Sequence, residues 1–237
     1  MKKLIALGAA AVLAVTLVGC SGGGEDKPSS GDPSVSEPAA GANEPAKENK
    51  LAIVETGWSA ENDYIHYGAI IENQGGQAAL FPTIKVTGKD ASGNVVSSDE
   101  QTLMIIYPGQ KLAWGGQAGN GTAPDSVEFE VSTKSSNWID GDPVDQQYEL
   151  TGVSAQDNGY GMIDFVGEIK NLTDADVDSV CVNVLLRDAG GAIVAGYSGY
   201  VDNLAAGATT SFEVMGYDVP EYATIEAWGQ SWSMPKL

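Results

Sequence analysis

The stretch Asp90–Val96 reads DASGNVV, and Asp188–Val194 reads DAGGAIV. Nearly the same seven residues thus return at an offset of 98 positions, Asp90 to Asp188. In such a string the Asp carboxylate can accept hydrogen bonds from the backbone just ahead of it, and the glycine supplies a positive φ without steric cost. Apolar alternation on both sides makes each string a hairpin turn between two strands.

Working outward, Tyr67–Trp114 lies over Phe165–Phe212 without a gap, and the shared positions include Asn73 with Asn171, Val86 with Val184, Gly93 with Gly191 and Gly109 with Gly207. Ile65, Tyr67, Ala69 and Ile71 alternate with polar or small residues, and Ile163, Phe165, Gly167 and Ile169 repeat the alternation. A period of two places such residues on one face of a strand. Trp114 and Phe212 supply the large core residue of a later strand, and Val127–Val131 and Thr224–Ala227 close the two copies. Six or seven short strands in about 90 residues predict an immunoglobulin-like sandwich, used twice. The fold expected is therefore all-β, with domains at 50–138 and 147–237 joined by a Gly- and acid-rich linker at 139–146.

The N-terminal region has a different character. Lys2 and Lys3 precede an apolar run from Leu4 to about Val15, the form of a secretion signal, too short to span a bilayer comfortably. Leu17-Val18-Gly19-Cys20 resembles the lipobox of bacterial lipoproteins. That resemblance implies cleavage after residue 19 and a diacylglyceryl thioether on Cys20, whose two acyl chains hold a membrane firmly where one would not. Residues 21–49 are rich in Gly, Pro, Ser and Glu and nearly free of aliphatics, so they read as a disordered tether with a coil span of roughly 30 Å.

Composition narrows the function. The 237 residues hold 12 Lys+Arg against 32 Asp+Glu, a formal net charge of −20, which disfavours nucleic acid and anionic headgroups and suits a soluble monomer. One histidine and two cysteines leave little for acid/base, thiol or soft-metal chemistry, and no nucleophile elbow, phosphate loop or Cys-x-x-Cys pair occurs. The expectation is a non-enzyme without a cofactor.

Strands ending in Asn73 and Asn171, the Asp-x-x-Gly turns at Asp90–Gly93 and Asp188–Gly191, and Pro108-Gly109 or Ala206-Gly207 before an aromatic-bearing strand together resemble the FxLYD-type domain of bacterial surface lipoproteins. The DUF4352-like lipoprotein sandwiches share this alternation as a second resemblance. Both imply extracellular modules without a catalytic site, on the outer face of the bacterial cell membrane.

Several residues stand out as candidate sites. Trp228 and Trp232 share an outward face if Ile225 and Ala227 point inward, and Trp138 ends the first copy; outward aromatics can stack on sugars, anchor a protein, or pack on the neighbouring domain. Asp174, Asp176 and Asp178 begin like a calcium loop but lack the later Gly and Glu, so a turn role is the simpler reading; Asp140, Asp142 and Asp145 form a second acidic stretch. His66, between inward Ile65 and Tyr67, is expected on solvated surface, and Cys181 on the face opposite the valines as a half-covered, inert thiol. The function expected is a membrane-anchored interaction or envelope-structural module with a protein partner. A glycan-binding module and an accessory solute-binding lipoprotein are the alternatives.

Overall fold

In the computed structural model, residues 48–233 are described. The expected signal segment, the lipidated Cys20 and nearly all of the tether lie outside them. Fifteen strands account for most of the described chain. Module 1 comprises β1 (Leu51–Ser59), β2 (Ile65–Asn73), β3 (Ala78–Leu80), β4 (Thr83–Lys89), β5 (Val95–Thr102), β6 (Ile105–Ile106), β7 (Lys111–Ala118), β8 (Ser126–Ser132) and β9 (Trp138–Ile139). Module 2 comprises β10 (Tyr148–Asp157), β11 (Ile163–Asn171), β12 (Val177–Arg187), β13 (Ile193–Leu204), β14 (Thr209–Gly216) and β15 (Thr224–Ser231).

Each module is a sandwich of two three-stranded antiparallel sheets, β1-β2-β7 over β5-β4-β8 and β10-β11-β14 over β13-β12-β15; module 1 adds a small sheet, β6-β3-β9. The pairing registers repeat at the same offset as the sequence. Ile65 opposes Ala118 as Ile163 opposes Gly216, and Lys89 opposes Val95 and Ser126 as Arg187 opposes Ile193 and Thr224. Even the bulge beside the hairpin recurs, between Gly88 and Lys89 and between Leu186 and Arg187.

The alternation predicts the cores. Ile65, Tyr67, Ala69 and Ile71 point into module 1 with Ile84, Val86, Leu112 and Trp114, while Phe165 and Ile169 meet Val182, Val184, Phe212 and Val214 in module 2. Two polar features recur inside this apolar frame. Asn73 is fully buried, donates to the carbonyls of Gln77 and Ile106 at 2.8 Å each, and accepts from the Gly75 amide at 2.9 Å. Asn171 does the same with Ala175, Leu204 and Thr173. A buried amide is retained only where its hydrogen bonds are met, and here it ties a strand end to two loops.

The turns are built as read. Asp90 Oδ1 accepts from the amides of Ser92 and Asn94, and Asp188 Oδ1 from those of Gly190 and Ala192. Gly93 and Gly191 sit at φ 83° and 88°, in the left-handed region that glycine enters freely. Hydrogen bonds, the Asn94 side chain first, hold the Asp90 carboxyl below the usual range.

Candidate functional site

The residues between the inward positions determine how the modules meet. The outward face of β1, β2 and β7 in module 1 carries a run of small or apolar residues, Gly57, Gly68, Ile70, Ala113 and Gly115, flanked by the polar pairs His66–Gln117 and Glu72–Lys111. The outer face of β13-β12-β15 packs onto this sheet. Ile70, Ala113, Leu185 and Ile193 form a buried apolar cluster across the seam, with Trp228 against it.

Glycine permits the approach. A Cβ on Gly115 would lie 2.3 Å from the Tyr197 amide nitrogen, one on Gly57 1.7 Å from the Ile193 carbonyl, and one on Gly196 2.6 Å from the Tyr67 carbonyl. The modules touch backbone to backbone where any side chain would wedge them apart. Strand β12 crosses module 1's sheet: Asn183 Oδ1 accepts from Gly115 N on β7 at 3.0 Å, Leu185 meets Gly68 on β2, and Arg187 reaches Glu55 on β1.

Arg187 is the electrostatic clamp. Its Nη1 and Nη2 donate to Glu55 Oε1 and Oε2 at 2.5 and 3.0 Å, and its Nε donates to Glu226 Oε2 at 2.7 Å. A guanidinium matches a carboxylate in this two-point geometry, and its two carboxylate partners, Glu55 first, raise its pKa further.

The seam corrects two expectations. His66 leaves the core of its own sandwich but is only 1% exposed, because module 2 covers it. Its ring lies 5.6 Å from that of Tyr197 and its Nε2 3.7 Å from Asp218 Oδ2, while Asn62 beside it donates to the same Asp218. Cys181 is fully buried rather than half-covered, lying against module 1's core, and burial pushes its thiol up to about 12.

The tryptophans do not form an exposed platform. Trp228 is half-buried on the seam, its Nε1 donating to Glu226 Oε1 at 2.8 Å. Trp232 stacks on Trp114 of module 1 at 5.4 Å, with Tyr200 edge-on at 5.5 Å. Trp138 pairs opposite Ala79 in module 1's small third sheet, away from that seam cluster. Apolar area on Trp228 and Trp232 is used to join the modules, and Trp138 stands apart from both.

Asp174, Asp176 and Asp178 are exposed around a turn, where Asp176 accepts from the Ala206 amide at 2.9 Å. Asp140 accepts from Gln77. Among the described residues no three His, Cys, Asp or Glu side chains converge as a metal site would require, and no helix is long and apolar enough to cross a membrane.

Two of the open concave surfaces among the described residues bear on function. One, of about 510 Å³, lies at the seam between Lys111, Tyr148, Glu149, Glu226 and Trp228. The larger, about 750 Å³, lies on the outer face of β4, β5 and β8 in module 1. Neither is legible in the sequence, because both are made by strands and loops distant along the chain.

No family model matches the chain, and no curated protein matches it. Among solved structures it is similar to an exo-chitosanase from Amycolatopsis orientalis, at 14% identity and a TM-score of 0.25, over 78% of this chain. The chain spans 26% of that protein's length.

Proposed function

We propose that this protein is a non-catalytic, lipid-anchored surface module of a bacterial envelope that engages a partner through an exposed sheet face. The observation that carries the reading is Cys20 within Leu17-Val18-Gly19-Cys20, directly after two lysines and an apolar run. A further support is the length of chain between that cysteine and β1, which begins only at Leu51 and so can stand clear of the bilayer. The seam adds a reason for two modules: joined backbone to backbone, they present their remaining faces at fixed spacing, which lowers the ordering cost of binding.

Detergent partitioning of cells expressing the protein tests the anchor. The wild type is expected in the membrane and detergent phase, and Cys20→Ser in the aqueous phase. A Cys20→Ser protein that stays with the membrane removes the lipoprotein reading.

A further inference from the structure

We propose that the concave outer face of β4, β5 and β8 binds a neutral oligosaccharide. This names a ligand class for the interaction module proposed above and does not depend on the anchor. The starting point is the equivalence of the modules. The face by which module 2 docks, carried on β12, β13 and β15, has its counterpart in module 1 on β4, β5 and β8, and there none of the described residues covers it.

The two versions of that face differ in chemistry. In module 2 it carries Cys181, Asn183, Tyr200, Trp228 and Trp232, suited to an apolar, glycine-lined sheet. At the same register module 1 carries Thr83, Lys85, Thr102, Glu130 and Lys134. A ligand for the second version is accordingly small enough for a groove of about 750 Å³ and rich in hydrogen-bonding groups.

Charge narrows the class. Lys85 stands between Glu100 and Glu130, its cross-strand partners on either side, and Lys134 lines the same groove. Two ammonium and two carboxylate groups balance, in a chain whose formal net charge is −20. Neither a polyanion nor a polycation gains from such a face, whereas a neutral polyol finds donors and acceptors interleaved with the hydroxyls of Thr83, Thr102 and Thr133.

Phe81 is a separate pointer. It lines this groove half-buried, at φ 47°, a left-handed conformation that is unfavourable for a bulky residue and clusters at ligand sites. Its amide, bonded to the Met104 carbonyl at 2.9 Å, holds it there, and its ring offers the apolar surface on which the C–H face of a sugar packs. Module 2 has Ser179 at that position.

The test titrates the ¹⁵N-labelled full chain carrying Cys20→Ser with neutral hexasaccharides of glucose and of N-acetylglucosamine, up to about 5 mM. Cationic glucosamine and anionic galacturonate hexamers form the comparison arms. The expected result is amide shifts confined to Thr83, Lys85, Thr102 and Ser132 with at least one neutral hexamer. Lys85→Ala and Glu130→Ala should each weaken binding about tenfold or more, while Glu168→Ala on module 2 leaves it unchanged. Silence with both neutral hexamers, binding that survives both groove variants, or binding by charged hexamers alone overturns the proposal. Membrane release of Cys20→Ser is read separately, so failure here and failure of the anchor are distinguishable.

Discussion

Modules 1 and 2 share a register from hairpin to closing strand, yet they treat the same positions oppositely once those positions leave the core. Gly68 and Gly115 of module 1 correspond to Val166 and Glu213 of module 2, and Ile70 to Glu168. Where module 1 has a flat, glycine-lined sheet with a partner, module 2 has a polar, exposed one. The opposite sheets show the converse. Lys89 meets Glu128 at 2.6 Å within module 1, and Arg187 meets the equivalent Glu226 but extends its second edge to Glu55 across the seam. Inward residues fix the sandwich and outward ones fix what it joins.

Exchanging the seam residues should break this contrast most sharply. Gly115→Glu, which writes module 2's residue into module 1, drives a side chain into the Tyr197 backbone and should cost about 3 kcal/mol or more in chemical denaturation, whereas Glu213→Gly should cost about 1. Equal costs would mean that the glycines are incidental. Next come the positions the modules share: Asn73→Ala and Asn171→Ala should each lose about 2–3 kcal/mol, since each strands buried backbone groups. A large effect in one module and none in the other would show that the repeated amide frame is not equivalent.

The ion pairs give a smaller difference. Arg187→Ala removes the cross-seam fork and should cost about 1–2 kcal/mol. Lys89→Ala removes a surface pair and should cost less than about 1. The difference should vanish in a Glu55→Ala background, and its persistence there would place the effect elsewhere.

The finest probe is the thiol. With Cys181 buried and its ionisation pushed up to about 12, a disulfide reagent at pH 8 should leave the native Cys20→Ser protein unlabelled and label it once denaturant opens the seam. Because burial favours the neutral thiol, protection should persist as pH rises until it approaches that value. Rapid labelling of native protein at pH 8 would mean that the seam opens on its own.

Much of the fold was legible because strand periodicity and turn chemistry are local. Ile65 to Ile71 and Asp90 to Gly93 state their faces and geometry within a few residues. His66 and Cys181 are more buried than their sequence implies for the complementary reason: each alternates outward from its own core, and alternation cannot distinguish solvent from a neighbouring module. A signal existed in the repeat comparison, where glycine or aliphatic stands in one copy against acid in the other at Gly68/Val166, Ile70/Glu168 and Gly115/Glu213. The Phe81 groove left no comparable trace, since its left-handed backbone and its lining from separate segments arise only on folding.

An all-β chain of two copied sandwiches, their hairpin turns and their inward residues are written locally, because these depend on period-two alternation and on what Asp and Gly do to adjacent backbone. Only folding shows that the copies lock face to face through glycine, that Trp228 and Trp232 are used in that lock, and that no described residue covers module 1's equivalent face. Those outcomes depend on backbone separations between segments far apart in the chain, which no local pattern encodes.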